Sequence, residues 1–143
     1  MPVILAQTDT TVGFLSQSSD KLYRIKSRSN TKPFIKVYKD FKSFSVEGNR
    51  VPKLRRNLVR RSKKTTFIVK NRAFRVVSHS SNSQIIRDAS WYYSTSANKS
   101  QETFNRGFCE TKADIIVEDI NGLVEKSSSA LIKINTIKRR KIR

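Results

Sequence analysis

The 143-residue chain holds one cysteine, Cys109, and one histidine, His79. A single thiol excludes an intramolecular disulfide, and the two residues together fall short of a conventional zinc site, so no metal is expected to be held by this chain alone. Their separation of about thirty residues leaves little room for a Cys-His or Ser-His-Asp arrangement, and His79 reads as a surface or structural residue rather than a general base. Glycine-rich phosphate cradles are missing as well: neither GxxxxGK[ST] nor GxGxxG occurs. There is no apolar run of about 18 residues, and the opening MPVILAQTD is too short for the apolar core of a signal peptide. The expectation is a soluble, cytoplasmic protein with no membrane partner. Acidic residues are the last scarcity, 11 against 30 lysines and arginines, giving a formal charge of +19. Solubility alone does not require such an excess, which points to an anionic partner such as nucleic acid or nucleotide phosphates.

A hydrophobic content of 36% in a chain of this length supplies one core, so a single domain over 1–143 is expected. Val3-Ile4-Leu5 reads as a strand that ends in the polar turn Gln7 to Thr11, passing on through Gly13 and Phe14. Ser18-Ser19-Asp20 is an N-cap signal for a helix with Leu22 and Ile25 on one face, ending near Lys26-Ser27-Arg28. Val51, Leu54 and Leu58 mark one face of a second helix with Pro52 in its first turn. The β-branched or aromatic runs 34–38, 65–70, 74–77, 92–95 and 115–117 have strand length, and 131–134 with 136–143 forms a last pair. Strands interleaved with two or three helices predict an α/β domain on a mixed, twisted sheet.

Two stretches invite chemistry. Lys53 to Lys64 carries seven cations and no acid, a density that suits contacts to a nucleic-acid backbone but equally a solvated helix face. The tail Ile137 to Arg143 has the same ambiguity. The second stretch is Ser94-Thr95-Ser96-Ala97-Asn98, three hydroxyls and a carboxamide directly behind the aromatic run Trp91-Tyr92-Tyr93. Phosphoryl and nucleotidyl transfer need positioned donors and cations more than a strong base, and this chain is rich in both.

Taken in order, these fragments resemble the YrdC-like threonylcarbamoyl-AMP synthases, which make the activated intermediate for threonylcarbamoyladenosine in tRNA. Ser94 to Ser100, STSANKS, is similar to the family's S-T-S-A-N-x-S-G signature, with Gln101 in place of the closing glycine. Gln7 to Phe14 resembles its PTDTVYGL stretch, and Lys26 to Ile35 its KGRPxxKPL. Thr65 to Val69 is similar to the segment after its PGP, and Ala73 to Val77 to its VRxP strand. Ser129 to Ile132 is similar to its STVV, and Ile142-Arg143 to its ILR, with Ser127, Ser128 and Arg140 offering shifted registers.

The resemblance implies a YrdC-like sheet with a basic concave cleft. It implies ATP held by Arg28, Lys32, Thr66, Asn98 and Arg143, and L-threonine held by Thr8, Ser96 and Ser129. It further implies Lys26, Arg28, Ser96 and Asn98, the KxR and SxN positions, at the reacting groups. Bicarbonate would be the third substrate, Mg²⁺ would arrive with the nucleotide, and a downstream threonylcarbamoyl transferase and tRNA would be partners. Several positions depart from the family pattern: Gln7, Val12, Ser29, Ser62-Lys63-Lys64 at the PGP, Ala130, Lys133, and Val37 where a histidine is common. Two other readings compete with the synthase: a binder of double-stranded RNA or tRNA, and a YciO-like paralogue that keeps the fold without making the tRNA intermediate.

Overall fold

A computed structural model describes residues 2–27, 33–77, 89–98, 102–118, 120–135 and 138–143. These fall into two compact units, Met1–Phe34 with Tyr92–Ser127, and Ile35–Trp91 with Ser128–Arg143.

In the first unit, β1 (Ile4–Gln7), β2 (Val12–Ser16), β6 (Trp91–Ser96) and β7 (Ile115–Val117) run in the order β7-β1-β2-β6. The β1–β7 pair is parallel; β1–β2 and β2–β6 are antiparallel. Gly13 and Phe14, read from sequence as the end of a turn, lie inside β2, and the turn is confined to Thr8–Thr11. Helix α1 (Ser19–Lys26) begins where the sequence predicts: the Ser18 hydroxyl accepts from the Lys21 N–H, and Leu22 and Ile25 are buried. It ends at Ser27, whose left-handed φ of 51° closes the last turn. Helix α4 (Arg106–Lys112) is capped by the Asn105 side chain. The core joins Val3, Leu5, Val12, Phe14, Leu22, Ile25, Phe34, Ala97 and Cys109.

The second unit orders its strands β3 (Ile35–Tyr38), β5 (Arg72–Val76), β4 (Thr65–Val69), β8 (Ala130–Ile134) and β9 (Arg139–Lys141) as β3-β5-β4-β8-β9. Parallel and antiparallel pairs alternate across it. Helix α2 (Phe41–Val46) is capped by Asp40, whose carboxylate accepts from the Ser43 N–H. Burial alone would raise the Asp40 pKa, but the Ser43 hydrogen bonds and the charges of Lys39 and Lys42 prevail and hold it low. The expected helix across 51–58 is corrected. Pro52 leads into a tight 3₁₀ turn, Lys53–Arg55, and α3 occupies Arg56–Arg61. Winding that turn at three residues shifts the buried face, so Val59 goes inside and Leu54 stands 76% exposed. The core of this unit is aromatic. Phe44 stacks on Phe74 at 4.4 Å and meets Tyr38 edge-on at 5.3 Å.

Nine strands and four α-helices among the described residues make the mixed α/β fold expected from the sequence. No helix among the described residues is long and apolar enough to cross a membrane.

Candidate functional site

The STSAN segment begins as strand and ends as a buttressed turn. Ser94, Thr95 and Ser96 pair with Leu15, Phe14 and Gly13 of β2. The Ala97 N–H then donates to the Val12 carbonyl at 2.9 Å, and the Asn98 N–H turns back to Ser96. Beneath it, the ammonium of Lys26, a residue only 3% exposed, reaches across from the end of α1. It lies 3.0 Å from the Ser96 carbonyl, 3.4 Å from Ser96 Oγ, 2.8 Å from the Asn98 carbonyl and 2.7 Å from Asn98 Oδ1. An ammonium has three hydrogens, so these four oxygens take up its donor capacity. Ser96 Oγ also donates to Asn98 Oδ1 at 2.7 Å, while Asn98 Nδ2 donates to the Glu102 carbonyl. Both ends of the carboxamide are thereby fixed in orientation.

Lys26, Ser96 and Asn98 thus come together as the sequence motifs imply, with Lys26 under the motif rather than beside it. Two further residues, to which the sequence motifs give no role at the site, support the same turn. The buried Cys109 thiol faces the Ala97 carbonyl at 3.4 Å. Burial pushes its pKa up, outweighing a hydrogen bond from the Asn105 backbone and the charge of Lys26, so the S–H stays protonated and able to donate. Gly13 is the second. A methyl group there would lie 3.0 Å from the Thr95 carbonyl and 3.3 Å from the Thr8 methyl, so any larger residue would push β6 or the Thr8 loop outward by a few tenths of an ångström.

Thr8 is buried within that loop. Its hydroxyl donates to the Thr11 carbonyl at 2.6 Å and accepts from the Thr10 N–H at 3.2 Å. Gln7, where the resembled motif has proline, gives the loop a second tether: its side-chain oxygen accepts the Val124 N–H at 2.7 Å, and the Thr11 hydroxyl accepts that of Lys126 at 3.1 Å. The departure from proline therefore has a structural counterpart, a segment laced along the loop.

The second unit holds the remaining described candidates. Thr66, on β4, is fully buried, and its hydroxyl meets that of the buried Ser129 at 2.6 Å. Arg143 is exposed and anchored by Nε, which donates to the Ser129 carbonyl at 3.0 Å. Backbone bonds from Ile142 and Arg143 to the Leu131 carbonyl align residues 142 and 143 with β8, beside Ser129. Val37 is apolar and buried at 1% exposure. Arg28, Lys32 and His79 lie outside the described residues. Among the described residues no cluster of three or more His, Cys, Asp or Glu could hold a metal ion.

No protein-family model matches the chain, and no curated protein sequence does. Solved structures do match. Sua5 of P. abyssi, complexed with L-threonine, superposes with a TM-score of 0.77 at 16% identity over 99% of this chain and 50% of that one. MTH1692 from Methanobacterium thermoautotrophicum gives 0.70 at 17% identity, covering 99% of this chain and 79% of that one. YciO of E. coli gives 0.71 at 16% identity, covering 99% and 82%. The chain spans about half the length of the Sua5 protein it matches. At these identities the likeness is one of fold, and the fold is that of the Sua5, YrdC and YciO proteins.

Proposed function

We propose that the chain is an L-threonylcarbamoyladenylate synthase, forming threonylcarbamoyl-AMP and pyrophosphate from L-threonine, bicarbonate and ATP. The observation that carries this reading is the Lys26, Ser96 and Asn98 cluster, in which the lysine of the KxR-like stretch and two residues of the SxN-like stretch, about seventy positions apart, share hydrogen bonds. The neighbouring structure of Sua5 with L-threonine supports a threonine-binding fold.

The chemistry suits the groups present. The threonine amine attacks bicarbonate, water leaves, and a carbamate forms. A carbamate oxygen then attacks the α-phosphorus, the bond to the bridging oxygen breaks, and pyrophosphate leaves with Mg²⁺ supplied alongside the nucleotide. Every substrate is anionic or carries a carboxylate, so fixed donors and cations stabilise each stage. In this reading Ser96 and the Thr8 loop border the threonine, with Lys26 holding the SxN turn in shape as a positioning residue. Arg28 and Lys32 meet the triphosphate by their match to the KxR stretch. Thr66 and Ser129 fix the strand ends that carry Arg143, whose remaining guanidinium nitrogens meet phosphate. tRNA and a downstream threonylcarbamoyl transferase follow as partners.

Valine at position 37, where the resembled family commonly has histidine, favours a second reading, a YciO-like paralogue that keeps the fold and nucleotide site without making the tRNA intermediate. Pyrophosphate release from ATP, measured with bicarbonate and with or without L-threonine, separates the two. Release that needs both co-substrates and is lost in Asn98→Ala, in a variant that keeps the wild-type circular dichroism, supports the synthase. ATP binding without threonine-dependent release supports the paralogue.

A further inference from the structure

The excess positive charge is not spread evenly over the second unit. A hollow of about 670 Å³ between α2 and α3 is lined by Phe41, Lys42, Arg50, Arg56 and Arg60 together with Ser45 and the 48–51 turn. It shares Gly48, Asn49 and Arg50 with an adjoining hollow of about 390 Å³, to which Lys70 and Arg72 contribute. Six exposed cations therefore border one continuous surface, and no acidic residue lines either hollow. The two acids that flank the lining in sequence are engaged elsewhere: Asp40 caps α2 by accepting the Ser43 N–H, with Lys42 the one cation of the six whose charge it feels, and Glu47 is turned to Lys36, Tyr38 and Asn49. Among the described residues none of the six makes an ion pair. The Arg60 guanidinium lies 4.5 Å from the Phe41 ring, which holds it over the hollow.

Like charges gathered around one concavity repel, and the arrangement becomes favourable when an anion neutralises them. We propose that this surface binds the phosphate backbone of a nucleic acid, without base readout. A row that passes beyond one hollow into the next exceeds what a single small phosphate group engages and suits successive phosphates of a polymer. The geometry also divides the basic run seen in the sequence. Arg56 and Arg60 line the hollow, whereas the Arg55 Nε is directed to the Asn135 carbonyl at 3.5 Å. The surface is built from the second unit alone, and the inference does not rest on the synthase reading.

The test measures binding of a short fluorescent RNA duplex by anisotropy between about 50 and 200 mM salt. The variants are Arg56→Ala/Arg60→Ala, Arg50→Ala/Arg72→Ala, and a control of equal charge change on α1, Lys21→Ala/Arg24→Ala. Each hollow variant is expected to lose roughly tenfold or more in affinity at unchanged melting temperature, and its log–log salt slope to fall by about 1.4 to 1.8, two contacts' worth. The control should lose less than about twofold. Equal losses in control and hollow variants would overturn the site in favour of diffuse attraction by net charge, and unchanged affinity in the hollow variants would overturn it outright. Inorganic tripolyphosphate forms a third arm. Displacement of the duplex by tripolyphosphate at equal phosphate concentration would overturn the polymer assignment; failure to displace it supports the backbone.

Discussion

Lys26 and the arginines of α3 come from the same surplus of positive charge, yet the two regions use it in opposite ways. Lys26 is drawn inside the first unit, and its charge is consumed by four oxygens of Ser96 and Asn98. Arg56 and Arg60 stand in solvent around a hollow with no acid in its lining. The difference follows from what lies within reach. A turn that ends in two carbonyls and a carboxamide oxygen needs a buried donor, because unpaired acceptors are costly in a low-dielectric interior. A helix of six residues packing mainly through Val59 leaves its cations outside. Net charge alone therefore says little about role; burial divides structural cations from recognition cations.

The sharpest way to break this comparison is to remove the buried charge. Lys26→Met keeps most of the side-chain volume but strips the ammonium donors from two backbone carbonyls and Asn98 Oδ1. The Ser96 carbonyl keeps the Asn98 N–H and Asn98 Oδ1 keeps the Ser96 hydroxyl, but the Asn98 carbonyl loses its donor. One orphaned acceptor costs about 1 to 3 kcal/mol, so a loss of roughly 2 kcal/mol is expected in urea unfolding. Arg56→Ala/Arg60→Ala should change stability by no more than about 0.5 kcal/mol in the same assay. Similar losses in the two variants would erase the distinction between structural and recognition cations.

Gly13→Ala probes the same unit more gently. Its added methyl meets the Thr95 carbonyl and the Thr8 methyl, and either β6 or the Thr8 loop must move. Overpacking of this kind costs about 1 to 3 kcal/mol. On the synthase reading, threonine-dependent pyrophosphate release should fall further than ATP binding does. Undiminished release, with the expected drop in melting temperature, would detach the Thr8 loop from threonine handling.

What the sequence disclosed was local. Ser18, Asp20, Leu22 and Ile25 announce α1 because a cap and a spacing lie within one short stretch, and the β-branched runs announce the strands in the same way. Helices α2 and α4 escaped notice because each buries a single residue, Phe44 or Cys109, which leaves no repeating apolar face to detect. Their caps, Asp40 and Asn105, were the only available signals. The helix placed across Val51, Leu54 and Leu58 was misjudged because the 3₁₀ turn rotated the face, an effect of three-residue winding that periodicity cannot anticipate. At the site, the motifs pointed to Lys26, Ser96 and Asn98, and these three lie within hydrogen-bonding distance of one another. The depth of Lys26 could not be read, since lysine is seldom buried and nothing in KSR marks an exception. The roles of Gly13 and Gln7 depend on Thr95 and Val124, more than eighty residues away and beyond any local pattern.

The finest test concerns Glu47, the acid kept away from the arginine row. Burial by itself would raise its pKa, but hydrogen bonds from Tyr38, Lys36 and Asn49 and the Lys36 charge outweigh that and hold it below the ordinary value of 4.5. A carboxylate depressed in the folded state adds stability that is full above the unfolded pKa and is lost as pH falls through the folded one. Glu47 is partly exposed, so its contribution should stay under about 1 kcal/mol. Glu47→Gln is then expected to be slightly less stable than the parent at neutral pH and equal to it near pH 3, with urea midpoints as the measure. The nucleic-acid salt slope should not change, because Glu47 borders neither hollow. A stability difference persisting at low pH would show that the carboxylate acts on Tyr38 by shape rather than by charge. A steeper slope would show that it had been shielding the arginine row all along, and the line drawn between structural and recognition charges would have to pass through Glu47 itself.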